Sequence, residues 1–199
     1  MQYLGSQELE TKNLLLKAQT FEEQKKLWEI LLVPEVNRYY LTIPRKFKDK
    51  LFDWDKQKEF YEKEMLESLN NDIFKWSIFL KENGECIGRV TCQETNDENR
   101  VPEIRDVSWY IDPKYQGCGF GYEAAKAMLD FMFFKCNIEK IITCAAVCNP
   151  ASWKLMEKLG FKRKIIKRTI QYTFLDEETE CYVYEVSKDE YIKFNETRK

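Results

Sequence analysis

Three alternating glycines lie between a predicted strand and a predicted helix, in the segment Gln116-Gly117-Cys118-Gly119-Phe120-Gly121. Glycine at an element boundary costs conformational entropy, so this spacing is seldom used for packing alone. The backbone N–H groups of such a segment can point into one concavity, and the positive end of the following helix adds to their field. The pattern fits a bound pyrophosphate. It fits a flexible strand-to-helix turn equally well, because a short glycine motif is weak evidence.

No histidine occurs among the 199 residues. Mechanisms that use Ser-His, Cys-His or His-metal pairs are therefore excluded, and any chemistry must use carboxylates, hydroxyls, thiols, lysine or backbone amides. The seven cysteines are odd in number and lack CxxC spacing, which is typical of reduced thiols in the cytoplasm. We therefore expect no metal site.

Composition limits the partners of the chain. Its 32 basic and 34 acidic side chains give a net charge of −2, whereas a nucleic-acid-binding domain usually carries a basic excess. No charged N-terminal segment leads into an apolar run, and no apolar stretch approaches the roughly 20 residues that a membrane span needs. We expect a cytoplasmic protein that binds neither nucleic acid nor membrane.

The glycine segment is flanked by elements that would position it. Residues 104–111 read as a strand that ends at Asp112-Pro113, and residues 122–136 carry an apolar face typical of a helix. Asn83-Gly84 is a strong hairpin signal, and the continuous apolar run 141–147 is typical of a strand covered on both faces. This order of elements predicts an α+β domain with a mixed sheet.

The glycine segment resembles the signature Q/R-x-x-G-x-G/A of the GNAT superfamily of acyltransferases, with Gln116, Gly119 and Gly121 on its fixed positions. Residues 106–113 resemble the strand that precedes the signature, and residues 122–124 resemble the opening of the helix that follows it.

A second set of motifs extends the resemblance. Asn149-Pro150-Ala151-Ser152 resembles the family's N-x-x-S helix start, and Glu157-Lys158-Leu159-Gly160-Phe161 resembles its K-L-G-F ending. This set is similar to the branch that includes the ribosomal-protein N-terminal acetyltransferases. Four motifs at compatible spacings, over roughly residues 9–186, are far more specific than any one alone.

A dinucleotide-binding fold is the competing interpretation of the glycine turn. The glycines lie more than halfway along the chain, and the six-residue G-x-G-x-x-G pattern is incomplete. The later strands also have hairpin spacing rather than βαβ spacing. These features disfavour that fold.

The resemblance implies that acetyl-CoA is the co-substrate and that its pantetheine arm lies between two splayed strands. The loop amides would bind the pyrophosphate. Asn149 would hydrogen-bond the cofactor arm, although Asn149 before Pro150 is also an ideal helix N-cap. The implied cofactor-binding residues are Trp109, Tyr110, Ile111, Gln116, Gly117, Cys118, Gly119, Phe120, Gly121, Asn149 and Ser152.

The same resemblance implies three catalytic groups. The amide of Tyr110 or Trp109 would polarise the thioester carbonyl. The Ser152 hydroxyl would protonate the leaving thiolate, unless it is an ordinary polar residue of a first helical turn. An amine arrives protonated, since its pKa is roughly 10, so Asp106, Glu103 or a water relay would take the proton. Both carboxylates also fit solvated positions near a strand end.

Together these inferences predict an α+β GNAT fold over residues 1–199, as one domain with a mixed central sheet of six to seven strands and helices on both faces. Residues 35–74 would form an insert at the acceptor groove, although their aromatics could equally pack two helices. The expected acceptor is a peptide or protein N-terminal amine. The alternatives are a small amine, such as an amino sugar or polyamine, and a CoA-sensing module without catalysis. The sequence leaves open whether a second copy of the chain is a partner in a homodimer.

Overall fold

An eight-stranded mixed sheet forms the centre of the computed structural model, which describes residues 1–67, 74–95 and 101–198. The strands are β1 (Leu9–Glu10), β2 (Leu14–Ala18), β3 (Phe74–Leu80), β4 (Cys86–Glu94), β5 (Ile104–Ile111), β6 (Lys140–Ala146), β7 (Lys162–Ile170) and β8 (Thr179–Ser187). The helices are α1 (Gln24–Leu31), α2 (Pro34–Asn37), α3 (Trp54–Glu67), α4 (Phe120–Phe134), α5 (Pro150–Lys158) and α6 (Lys188–Glu196). Two 3-10 helices cover Arg45–Phe52 and Pro113–Tyr115.

The strand order across the sheet is β1-β2-β3-β4-β5-β6-β8-β7. Every neighbouring pair is antiparallel except β5 and β6, which run parallel. The parallel pair is central, and α4 makes the crossover between its strands. This arrangement confirms the predicted α+β fold with a mixed sheet.

The sheet has one strand more than the six to seven expected, because residues 9–18 do not form one continuous strand. The Thr11 N–H donates to the Leu14 carbonyl at 3.0 Å, which closes a tight turn. The chain before the turn then folds back as β1, with Leu9 opposite Leu16. The polar run Glu10-Thr11-Lys12-Asn13 marks this turn in the sequence, and the prediction of one strand over residues 9–18 passed over it.

Helices cover both faces of the sheet, as predicted. The larger core lies under α4, α5 and α6, with fully buried Met128 and Leu129 of α4 packed on the strands. A smaller core on the opposite face joins Leu27 and Ile30 of α1 to Val36 of α2. In residues 1–67, 74–95 and 101–198, no helix is long and apolar enough to cross a membrane.

The described part of the predicted 35–74 insert contains α2, the 3-10 helix Arg45–Phe52 and α3. It contacts the turn between β7 and β8, where the Thr173 N–H donates to the Leu41 carbonyl and its hydroxyl to the Ile43 carbonyl, each at 2.8 Å. Residues 68–73 of the predicted insert lie outside the described residues.

Gly88 of β4 allows β5 to approach closely. A Cβ built on Gly88 would lie 2.2 Å from the Tyr110 carbonyl oxygen and 3.0 Å from the Ile111 Cα. Backbone atoms cannot swing away as a side-chain end can, so the missing side chain sets the distance between the two strands.

We expect Gly88→Ala to lower the free energy of unfolding by about 1–3 kcal/mol, because the added methyl group forces β4 and β5 apart. Urea denaturation measures the change. The matched control is Gly121→Ala in α4, where the new Cβ would meet Ile111 and Leu155 side-chain atoms at an ordinary 3.7 Å. Helix propensity predicts unchanged or higher stability for that control. Equal stability of the two variants would contradict the close approach.

Candidate active site

β5 and β6 pair at their first residues and then diverge. The parallel ladder contains Ile104 opposite Lys140 and Arg105 opposite Ile141, although β5 continues to Ile111. Just beyond the last pair, the Thr143 hydroxyl bridges the strands by donating to the Val107 carbonyl at 3.1 Å. A V-shaped gap therefore opens between the two strands, from Val107 toward the end of β5 at Ile111.

The alternation of backbone groups shows which amides of β5 face this gap. The Asp112 N–H donates to the Ile87 carbonyl at 2.7 Å, toward β4. Alternate residues of an antiparallel strand direct both N–H and C=O at the same neighbour. Tyr110 therefore belongs to the β4 ladder, opposite Arg89, while Trp109 turns its backbone groups toward the gap.

Of the two amides proposed from sequence as an oxyanion donor, that of Trp109 is therefore the one that faces the gap. The Tyr110 side chain is also engaged elsewhere. Its phenol is buried, its hydroxyl donates to the Leu27 carbonyl at 3.3 Å, and burial raises its pKa well above the ordinary value. Tyr110 thus acts as part of the wall between the gap and α1.

The glycine segment forms a loop that opens α4. Gly117 and Gly119 have φ values of +78° and +87°, and Gly119 is the residue before the first helical turn. A Cβ built on either glycine would meet nothing within 4 Å. The Gln116 side-chain amide donates to the Ile111 carbonyl at 3.0 Å, which ties the loop to the end of β5. The result is an open space over the two glycines, beside the N-terminus of α4.

Asn149 and Ser152 meet at the start of α5. The Ser152 N–H donates to the Asn149 side-chain oxygen at 3.3 Å, so the predicted N-cap is present. Only the carbonyl end of the Asn149 carboxamide makes this contact, which leaves its NH₂ end as a donor on the cavity wall that Asn149 lines. Capping and ligand binding are therefore compatible at this residue.

Asp106 occupies the vertex of the gap, one residue beyond the last β5–β6 pair. Its carboxylate accepts the Val107 N–H at 2.7 Å. Burial raises the pKa of this carboxyl above its ordinary value, although this N–H and the charge of Arg168 act in the opposite direction. A buried carboxyl with a raised pKa can accept a proton more readily than a solvated one. Glu103 instead pairs with the chain's N-terminal amine at 3.3 Å.

A cavity of about 330 Å³ joins the gap, the loop and α5. The sequence-predicted residues that line it are Trp109, Tyr110, Ile111, Gln116, Gly117, Gly121, Asn149 and Ser152. Asp106 does not line it but lies directly behind its neighbour Val107, which does. Cys118 and Gly119 line a different groove outside the loop, and Phe120 packs against the core.

On the face covered by α1 and α2, the cavity is bordered by a hydroxyl network that the sequence reading did not find. The Arg89 guanidinium donates to the Tyr40 hydroxyl at 2.9 Å, which lies 3.1 Å from the Ser108 hydroxyl. Thr91 extends the network, 2.7 Å from Ser108. The pairing register of β4 and β5 brings the members of this network together, and no local sequence pattern predicts it. Among the described residues that line the cavity, Glu35 alone carries a formal charge.

The larger groove, about 680 Å³, lies between β1 and α4. Several of its charged side chains already have protein partners: Glu123 accepts from Thr11 and Asn13, and Lys126 pairs with Asp130 at 2.7 Å. The smaller cavity is therefore the better candidate for chemistry. In the described parts of the chain, no cluster of three or more His, Cys, Asp or Glu side chains could hold a metal ion.

The chain is similar to known proteins of one family. The family model described as "Acetyltransferase (GNAT) domain" matches residues 13–162. The chain is 25% identical, over 154 residues, to an uncharacterized N-acetyltransferase of Bacillus subtilis (strain 168) named YnaD. That match covers 77% of this chain and 82% of the relative.

Solved structures with similar folds include enzymes named for different acceptors. One is a spermidine N-acetyltransferase from Vibrio cholerae in complex with CoA and spermine, with a TM-score of 0.73, 20% identity, and coverage of 92% of this chain and 99% of that one. Another is a ribosomal-protein-S5-alanine acetyltransferase from Vibrio fischeri, with a TM-score of 0.72, 16% identity, and coverage of 94% and 99%. At these identities the likeness establishes the fold.

Two substitutions at Asn149 separate its capping role from any other. We expect Asn149→Ala to lower the free energy of unfolding by about 1 kcal/mol, because α5 loses its cap. Asn149→Asp keeps the accepting oxygen and adds a charge that a helix N-terminus favours, so its stability should match the wild type. Thermal or urea unfolding measures both. If the two variants lose stability equally, the side-chain oxygen is not the stabilising group.

Proposed function

The chain belongs to the GNAT acetyltransferase family, and from that premise we propose that it binds acetyl-CoA and transfers the acetyl group directly to an amine. In this proposal residues 1–199 act as one domain. The observation that carries it is the divergence of β5 and β6, which leaves the Trp109 backbone unpaired toward a cavity that also reaches the glycine loop. An extended arm with amide groups, such as pantetheine, can pair with that backbone as an added strand would.

The glycine loop fits the phosphates of this ligand. Open space above Gly117 and Gly119 allows an anion to approach the backbone amides, and the N-terminus of α4 supplies a positive field. The NH₂ group of Asn149 would donate to the arm farther along the cavity. In this assignment the cofactor residues are those that the sequence suggested, with Cys118 and Phe120 contributing backbone amides.

Direct transfer requires three things of the protein. The Trp109 N–H would donate to the thioester oxygen as negative charge develops there. Ser152, across the cavity, would give a proton to the departing sulfur. Asp106 would take the proton of the attacking amine through a water molecule, since it lies behind the cavity wall rather than on it. No covalent enzyme intermediate is needed, which suits a chain without histidine.

The acceptor would approach from the face of the sheet that carries α2 and the predicted insert. We propose a peptide or protein N-terminal amine as the acceptor, in keeping with the N-x-x-S and K-L-G-F motifs of α5 and the residues after it. Tyr39 and Tyr40 line that side of the cavity and would flank the bound amine.

A small polycationic amine is the second candidate, and one observation favours it. Glu35 is exposed at the cavity and is its one formally charged side chain among the described lining residues. A carboxylate beside aromatic walls attracts a ligand that carries another ammonium group. The similar fold of a spermidine N-acetyltransferase is consistent with this choice.

The proposed function predicts that the protein binds acetyl-CoA. Acetyl-CoA should raise the melting temperature of the protein, because a ligand at 100 times its Kd adds about 2.7 kcal/mol to the free energy of unfolding. Dephospho-CoA has one phosphate fewer to bind and should raise the melting temperature less. Gly119→Val should abolish the shift, since a β-branched side chain fills the concavity and disfavours a φ of +87°. Circular dichroism reports whether this variant is folded. A folded Gly119→Val protein with normal affinity would remove the pyrophosphate from this loop.

The second prediction concerns turnover. Incubation with acetyl-CoA and a panel of peptides, polyamines and amino sugars should release free CoA thiol with at least one acceptor class, and that class identifies the substrate. A CoA-sensing module would bind acetyl-CoA and release none.

With the best acceptor, Asp106→Asn and Ser152→Ala should lower kcat by roughly 100- to 10,000-fold with little change in KM for acetyl-CoA. Wild-type kcat should fall as the pH drops through the raised pKa of Asp106, because the protonated carboxyl cannot accept the amine's proton. Asp106→Asn should lack this dependence. Full kcat in both variants at neutral and high pH would show that positioning alone carries the reaction.

A further inference from the structure

Arg89 fixes one end of the hydroxyl network that borders the cavity. A guanidinium carries only N–H donors, so the Tyr40 oxygen accepts the 2.9 Å hydrogen bond from Arg89. The Tyr40 O–H is then directed either to Ser108, whose oxygen is 3.1 Å away, or into the cavity. An edge-to-face contact with the Tyr110 ring, with centroids 4.9 Å apart, holds the Tyr40 ring in this place.

Thr91 fixes the other end of the network. Its side chain is only 3% exposed, and in the described parts of the chain its hydroxyl has a single hydrogen-bond partner, the Ser108 hydroxyl at 2.7 Å. A buried O–H that lacks an acceptor is costly, whereas an oxygen with an unused lone pair costs less. The Thr91 O–H therefore donates to Ser108. Both ends of the network thus donate hydrogen bonds inward, toward the two middle hydroxyls.

The two middle hydroxyls then hold one hydrogen more than the network can use. Tyr40 and Ser108 each carry one O–H, and a single contact joins their oxygens. One of the two hydrogens occupies that contact, and the other has no acceptor within the network. Both side chains are half-buried and line the cavity. The network therefore offers the cavity one hydrogen-bond donor, which either oxygen can carry.

This spare donor lies next to the place where the acceptor amine would react. Ser108 immediately precedes Trp109, whose amide faces the gap, and its hydroxyl is held by Tyr40 on the side of the cavity where the acceptor would enter. The attacking amine cannot accept this hydrogen bond, because its lone pair forms the new bond to carbon. A donor at this place requires an acceptor atom elsewhere on the same ligand.

We propose that Tyr40 and Ser108 are specificity-determining residues that together donate one hydrogen bond to a carbonyl oxygen beside the acceptor's amine. A peptide N-terminus has this oxygen, because the carbonyl of its first residue is attached to the carbon that bears the amine. A polyamine such as spermidine has only methylene groups there and would leave the donor unpaired, which disfavours its binding. The inference rests on the proposed function and assigns its acceptor to the α-amino carbonyl compounds.

The experiment compares two acceptors of the same shape in four proteins. One acceptor is the best peptide of the panel, and the other is the same peptide with a trans-alkene in place of its first peptide bond, which removes the carbonyl oxygen. The proteins are the wild type, Tyr40→Phe, Ser108→Ala and the double variant. For each acceptor, kcat/KM of a variant is divided by that of the wild type, so that the intrinsic reactivity of each amine cancels.

The spare donor predicts an effect that appears only in the double variant. With the peptide, each single variant should keep kcat/KM within roughly twofold, because the remaining hydroxyl supplies the O–H, and the double variant should lose roughly tenfold. With the alkene, the double variant should keep kcat/KM within roughly twofold. The matched control is Tyr191→Phe, which removes a buried hydroxyl bonded to Asp130 outside the cavity lining and should match the wild type with both acceptors.

The outcomes separate this inference from the proposed function. An equal loss with the peptide and the alkene would show that the two hydroxyls only support the structure, and it would overturn the inference. A loss in one single variant as large as that in the double variant would also overturn it, because one oxygen alone would then carry the donor. Transfer to spermidine but to no peptide would overturn the inference and leave acetyl transfer intact. If acetyl-CoA gives no thermal shift, the proposed function fails, and the inference fails with it.

Discussion

The parting of β5 from β6 after two residue pairs is the constraint on which the site depends. A continuous parallel ladder would satisfy the backbone groups of Trp109 within the sheet, and no ligand could compete for them. β4 holds β5 through seven consecutive residue pairs, and the absence of a side chain at Gly88 lets the two strands pack closely. β5 can therefore diverge from β6 and remain part of the sheet. The gap is thus a stable feature of the sheet, and its depth is limited by the Thr143 bridge to Val107.

The two faces of the sheet present different chemical groups to this gap. The side with α4 and α5 presents amides, a helix N-terminus and neutral hydroxyls, which suit an anionic, extended ligand. The other side presents tyrosines, the hydroxyl network from Arg89 to Thr91 and the carboxylate of Glu35. Thr173 bonds to the predicted insert at Leu41 and so fixes this second wall. Two ligands of opposite charge could therefore meet within the sheet without crossing each other's path.

The distribution of thiols follows the same geometry. Cys92 is buried in the β4 face of the core, where desolvation raises its pKa well above the ordinary value. Such a thiol behaves as a small apolar side chain. Cys144 and Cys181 differ because β6 and β8 bring them together beside a polar cavity, with a phenol in contact. The same residue type therefore has different surroundings in different strands, and the sheet register makes the difference.

The sequence by itself determined the elements and the motif positions: the glycine loop before α4, the cap at Asn149, the mixed sheet and the helices on both faces. The loop and the cap are local properties, set by glycine conformation and capping chemistry. The mixed sheet followed from the order of the elements, and the helices on both faces followed from the family resemblance. The capping box of α6, formed by Ser187 and Glu190, has a recognisable sequence pattern. The sequence analysis did not predict it, because β8 leads directly into the helix. Tertiary structure alone decided that the amide of Trp109 rather than Tyr110 faces the gap, that Asp106 lies behind the cavity wall, and that Cys144 meets Cys181. Each of these depends on strand register and on the point where two strands diverge, and contacts between residues distant in the chain fix both.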